Sequence, residues 1–163
     1  MPRGGFVDGA DDSKKISRPK RETLYEIILK RAVEVRFGQA SAQEIDESNI
    51  LLATGKAMNR ALQQLKEEPD HVVVDGLPMA SLDWDHEAIV KGDGMVHSIS
   101  CASIVAKVFR DRLMSELGER YPGYGWDRNV GYGTKEHREA LETLGVTPCH
   151  RKTFLGHQYG LGL

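Results

Sequence analysis

His71-Val72-Val73-Val74-Asp75-Gly76 and, further along, Ala88-Ile89-Val90-Lys91-Gly92-Asp93 decide the fold. Each is a short apolar run, rich in β-branched residues, that ends in a carboxylate beside a glycine. An unbroken apolar run of about four to eight residues, bounded by turn formers, suits an interior strand covered on both faces rather than an amphipathic helix. The interval between the two runs holds Pro78 and Trp84 and reads as a loop.

Outward from these runs the pattern alternates. Upstream, Ser41-Ala42-Gln43-Glu44 is a capping box that opens one long helix, with Ile45, Leu51, Leu52, Met58, Leu62 and Leu65 as its apolar stripe. Glu67-Glu68-Pro69-Asp70 ends it. Before it, Val33-Glu34-Val35-Arg36-Phe37-Gly38 alternates strictly and predicts a half-buried strand. A first helix starts at Ser17, with Pro19 in its first turn and Leu24, Ile27, Ile28 and Ala32 on one face. Downstream, a long helix runs from about Ser98 to Glu119, followed by the turn Tyr121-Pro122-Gly123-Tyr124-Gly125 and a loop from Trp126 to Gly133. Thr134 caps a last helix that stops at Leu144-Gly145. Helices alternating with strands predict an α/β fold.

Length and charge narrow the classes. A chain of 163 residues is about the size of one domain with its own core, needing neither disulfide nor structural metal. Residues 1–11, rich in Gly and Asp, read as a flexible lead-in, residues 12–154 as the folded domain, and residues 155–163 as a tail. The 22 basic and 24 acidic side chains give a net charge of -2 and are interspersed, which excludes a polybasic mode of nucleic-acid binding but not a local basic face. The two cysteines, Cys101 and Cys149, form no CxxC motif. His97 and Cys101 share a helical i, i+4 spacing, yet no further zinc ligand accompanies them, and Cys101 reads as a small core residue. With no signal-like start and no apolar run of about 18 residues, a cytoplasmic location is expected.

Asp75 and Asp93 are the candidate chemistry. Two carboxylates emerging from the C-terminal ends of neighbouring strands stand where open α/β sheets place their sites, and such a pair can hold Mg²⁺ or Mn²⁺. Each also reads as an ordinary turn-forming aspartate.

Several segments together resemble bacterial ribonuclease HII, within the ribonuclease H-like superfamily. They are Asp12-Ser13-Lys14-Lys15-Ile16-Ser17, Glu44-Ile45-Asp46-Glu47-Ser48-Asn49-Ile50-Leu51, Val74-Asp75-Gly76 and Ala88-Ile89-Val90-Lys91-Gly92-Asp93. Further along come Ala102-Ser103-Ile104-Val105-Ala106-Lys107-Val108-Phe109-Arg110-Asp111, Tyr121-Pro122-Gly123-Tyr124-Gly125, Gly131-Tyr132-Gly133-Thr134 and His150-Arg151-Lys152-Thr153-Phe154. They run from residue 12 to 154 in family order.

The resemblance implies a ribonuclease H-like mixed sheet flanked by helices. It also implies metal-dependent endonucleolysis of the RNA strand of RNA/DNA hybrids, and on the 5′ side of ribonucleotides in duplex DNA. It assigns Asp75 and Asp93 as catalytic metal ligands for Mn²⁺ or Mg²⁺, in a two-metal site that activates water on one side of the phosphate and stabilises the leaving oxygen on the other. It lays Ser13, Lys14, Lys15, Asn49, Ser103, Lys107 and Tyr132 along the nucleic-acid face, with Tyr132 against the sugar at the ribonucleotide junction. Read alone, Lys14 and Lys15 are equally a solvated pair before a helix, Tyr132 a surface packing residue, and Arg110 and Asp111 a surface ion pair.

The family usually begins with a strand ending in an Asp-Glu-Ala-Gly-Arg-Gly-like loop and a second apolar strand. Neither is expected here: in Phe6-Val7-Asp8-Gly9-Ala10-Asp11-Asp12 only Asp8 resembles a remnant of the first catalytic aspartate. The expected consequences are weakened or lost cleavage, leaving an inactive relative that only binds nucleic acid as the alternative. Unpaired sheet edges are also expected, met by rearrangement, by self-association or a partner chain, or by a longer natural protein.

Overall fold

A computed structural model describes residues 1–2 and 4–159, with side chains described as far as Leu155. The elements are α1 (Arg18–Arg31), α2 (Ala42–Asp46), α3 (Ile50–Leu62), β1 (Val73–Asp75), β2 (Glu87–Ile89), a 3₁₀ turn (Gly92–Gly94), α4 (His97–Arg120), α5 (Trp126–Asn129), α6 (Lys135–Leu144) and α7 (Lys152–Tyr159). The expected mixture of helix and strand is present. The chain parts into two compact units rather than gathering on one core: residues 1–39 with 55–108, and residues 40–54 with 109–163.

In the first unit β1 and β2 form a parallel pair in the register Val73↔Glu87, Val74↔Ala88, Asp75↔Ile89. The ladder runs on through Glu87 N–H to Val72 O at 2.9 Å and Gly76 N–H to Ile89 O at 3.0 Å. Both strands are shorter than their apolar runs. The second ends at Ile89 because Lys91 takes a left-handed conformation, φ 60°, and turns the chain into the 3₁₀ turn. Of β1, only Val74 is buried, so this strand is half-covered and not sandwiched as expected.

The core of the unit is Val7, Ile16, Leu24, Tyr25, Ile28, Cys101, Ile104, Val105 and Val108, with Val7 and Ile104 wholly inaccessible. The core thus reaches ahead of Asp12: Phe6 stacks on His97 at 4.5 Å, and the Val7 N–H donates to His97 Nε2 at 2.9 Å. Ser17 stands at the N-cap of α1 as expected, but its side chain makes no capping bond.

Residues 33–37 are not a strand. Their alternation holds only from Glu34 on: Val33 is exposed, whereas Val35 and Phe37 pack on the core and Glu34 pairs with Arg36 and accepts the Lys66 N–H at 3.2 Å. No ladder partner lies beside them among the described residues, and a strand needs a neighbour for its N–H and C=O groups. With α4 they line an open, mostly apolar cavity of about 230 Å³. Gly38 allows this segment to meet α3: a Cβ there would fall 1.7 Å from the Ala57 carbonyl oxygen.

In the second unit the capping box forms as predicted, Glu44 N–H donating to Ser41 Oγ at 3.1 Å and Ser41 N–H to Glu44 Oε2 at 3.0 Å. The single long helix does not. It breaks after Asp46, and Asn49 caps a new helix by accepting the Leu52 N–H at 2.9 Å. Leu51 and Leu52, expected in the buried stripe, are exposed. The core here is Met114, Tyr124, Trp126, Ala140, Leu141 and Leu155. Thr134 caps α6 as predicted, through the His137 N–H. The short α5 stands where a plain loop was expected. Helix α7 takes up part of the expected tail; residues 160–163 of that tail lie outside the described residues. No helix among the described residues is long and apolar enough to cross a membrane.

Candidate active site

The site grows from the C-terminal edge of the parallel pair in the first unit. Asp75 is the last residue of β1 and is exposed, and its Oδ1 accepts the Gly92 N–H at 2.8 Å. That bond ties one carboxylate to the residue immediately before the other. Asp93 lies in the 3₁₀ turn that follows β2 rather than at the strand's end, and is 8% exposed. Its carbonyl accepts the Ser100 hydroxyl at 2.7 Å, which pins the turn to the first part of α4. The two runs that fixed the fold therefore bring Asp75 to the residue that precedes Asp93.

The Asp12-Ser13-Lys14-Lys15 turn reaches Asp93 through Lys14. It is internally bonded, Asp12 Oδ1 accepting the Lys14 N–H at 2.9 Å and Asp12 O the Lys15 N–H at 3.0 Å. Ser13 is buried, shares a hydrogen bond with Ser103 of α4 at 2.9 Å, and accepts Arg21 Nη1 on its carbonyl at 2.9 Å. From this anchored turn Lys14 reaches Asp93, Nζ to Oδ2 3.9 Å, whereas Lys15 returns to Asp12 at 3.7 Å. Lys107 lies one turn beyond Ser103 on α4, on the same helix face.

Of the predicted site residues, the structure thus brings together Ser13, Lys14, Asp75, Asp93 and Ser103. Asn49 and Tyr132 belong to the second unit. Asn49 Oδ1 is engaged as the cap of α3. Tyr132 is 68% exposed on a loop built by buried Asn129, whose Oδ1 accepts the Gly131 N–H at 2.9 Å and whose Nδ2 donates to Tyr124 O at 2.7 Å. Val130 at the foot of that loop has φ 45°, unusual for a β-branched residue. Asp8 is exposed. Arg110 and Asp111 are not a surface pair: Asp111 is 4% exposed, and Arg110 Nη2 donates to the Val130 carbonyl. Sequence reasoning missed the Gly92 amide and Ser100. Only the first carried a signal, as the glycine preceding Asp93.

The donor set fits one hard divalent cation. Carboxylate oxygens suit Mg²⁺ or Mn²⁺, and such ions are commonly held by one or two carboxylates with water or phosphate oxygens completing the shell. An ammonium already drawn to within 3.9 Å of Asp93 shows that the place attracts positive charge. Among the described residues no cluster of three or more His, Cys, Asp or Glu forms, so these two carboxylates are what this chain offers there.

Comparison with known proteins agrees in sequence. The family model described as Ribonuclease HII matches residues 8–156. The chain is 51% identical to the ribonuclease HII of Ruegeria pomeroyi over 152 residues, covering 93% of this chain and 64% of that protein. It is 47% identical to that of Bacillus cytotoxicus over 154 residues, covering 94% and 59%, and 50% identical to that of Shewanella loihica over 151 residues, covering 91% and 73%. The chain thus spans less than two thirds of the length of the first two relatives.

Proposed function

The chain belongs to the ribonuclease HII family, and from that premise we propose that it cleaves the RNA strand of RNA/DNA hybrids and cuts on the 5′ side of ribonucleotides in duplex DNA. The observation that carries this reading is the Asp75 to Gly92 hydrogen bond, which ties one carboxylate to the residue before the other at the edge of the sheet, with Lys14 reaching Asp93. Asp75 and Asp93 are the residues that would hold a divalent ion, Mn²⁺ or Mg²⁺, whose chemistry would be to activate a water and stabilise the leaving oxygen.

The remaining residues place the substrate. Lys14, Lys15 and Lys107 neutralise backbone phosphates, and Ser13 and Ser103 fix the turn that presents the lysines. Tyr132 offers an exposed ring to a sugar, and Asn49 contributes from its cap position. Cytoplasmic residence fits two unpaired cysteines, one buried and one exposed.

Incubation of a DNA duplex carrying one ribonucleotide with the chain and Mn²⁺ tests the reading. A cut on the 5′ side of that ribonucleotide is expected, with duplex affinity that falls as KCl rises. Cutting at unmodified DNA positions, or binding indifferent to salt, refutes it.

A further inference from the structure

Lys14 stands in an unusual relation to the carboxylates. Its backbone is fixed by the Asp12 bond and by the Ser13 anchor to Ser103, yet its side chain is 82% exposed while that of Asp93 is 11% exposed. A built turn therefore delivers an exposed ammonium to a nearly buried carboxylate, and a second carboxylate is bonded to the residue just before it. Adjacent like charges favour a cation between or against them, and in this arrangement the chain supplies its own.

We propose that the Lys14 ammonium is the resident counter-cation of Asp93, competing with a divalent ion for that carboxylate, so that ion binding releases Lys14 to a phosphate. This inference rests on the metal-site reading of Asp75 and Asp93. It adds that loading of the ion and availability of Lys14 are coupled, and such coupling is reciprocal. Lys14 Nζ lies 3.9 Å from Asp93 Oδ2, and while it stays there it is a poor phosphate ligand. Its high exposure means that leaving costs no buried contact. Lys15 issues from the same turn and turns away to Asp12, which makes it an internal control of equal charge.

The test is titration of the chain with Mn²⁺ alone, read by the electron paramagnetic resonance signal of the free ion, at low salt. Lys14→Met should bind Mn²⁺ about three- to tenfold more tightly than the unaltered chain, the range for removing a unit charge a few ångströms from a dication at a solvated site. Lys14→Arg should bind as the unaltered chain does, and Lys15→Met should differ by less than about twofold, the gain of Lys14→Met shrinking as KCl screens it. Equal or weaker binding by Lys14→Met overturns the inference, and so does an equal gain in Lys15→Met, which would reduce the effect to net charge. Asp93→Asn separates the two levels: if it leaves Mn²⁺ binding untouched, or if the unaltered chain binds no Mn²⁺ at millimolar concentrations, the metal-site reading itself fails.

Discussion

His150 should make the second unit sensitive to mild acid. It is 7% exposed and packed against aromatic rings, its ring centroid 5.0 Å from Trp126, 5.1 Å from Tyr124 and 5.4 Å from His137. The Thr147 N–H donates to Nδ1 at 2.9 Å, so Nδ1 accepts and the imidazole is neutral. A proton on Nδ1 would set two N–H groups against each other. Burial, with the charge of His137 adding to it, pushes the His150 pKa from 6.5 down to about 4. Because the folded pKa is the lower one, the unfolded chain takes up the proton first. This contribution is complete above pH 6.5 and is lost as the pH falls toward 4. The full span corresponds to about 3 kcal/mol at roughly 1.4 kcal/mol per pH unit, of which about 2 kcal/mol should be gone between pH 7.5 and pH 5. Urea unfolding followed by tryptophan fluorescence at those two pH values measures it. The control is His150→Asn, which keeps an acceptor near Nδ1 and cannot titrate. The reasoning is refuted if the unaltered chain and His150→Asn lose the same stability between pH 7.5 and 5.

Gly38→Ala should destabilise the chain by about 2 kcal/mol or more, since its Cβ meets the Ala57 backbone oxygen and not a movable side chain; urea midpoints check it. Asn49→Ala should cost about 1 kcal/mol by uncapping α3, and duplex affinity measured on the folded variant then reports any contact with nucleic acid beyond the cap. Asp46→Ala should lower the thermal midpoint, because Asp46 accepts the Lys152 and Thr153 N–H groups at 2.8 and 3.2 Å and so caps α7 from a distant part of the chain. Burial raises the Asp46 pKa, but the Thr153 hydroxyl, those two amides and the Arg151 charge together bring it below 3.8, so this contribution is present above pH 3.8 and lost in stronger acid.

Local chemistry was legible and long-range partnership was not. The Ser41 and Glu44 box and the Thr134 cap depend on residues three positions apart, and they form as read. Asp75 and Asp93 were legible because each ends a short apolar run, and parallel pairing of those runs needed no distant information. The break after Asp46 was hidden because Ile45, Leu51 and Leu52 kept an apolar spacing. Two side chains accompany that break: Asn49 caps the helix that follows it, and Asp46 is drawn to the start of α7, more than a hundred residues away in sequence. Residues 33–37 alternate as a strand does, yet alternation records which side chains face a core and not whether a neighbouring strand exists. Asp111 read as a surface charge because its motif shows spacing and not the burial that α4 imposes. Division into two cores likewise depends on contacts between distant residues.

The most direct test of the account is multiple-turnover cleavage of the single-ribonucleotide duplex by the unaltered chain, Asp75→Asn, Asp93→Asn and the double variant, with folding checked by circular dichroism. If the two carboxylates act as one site, either single substitution removes nearly as much activity as both together. A single variant that folds and turns over like the unaltered chain contradicts the account.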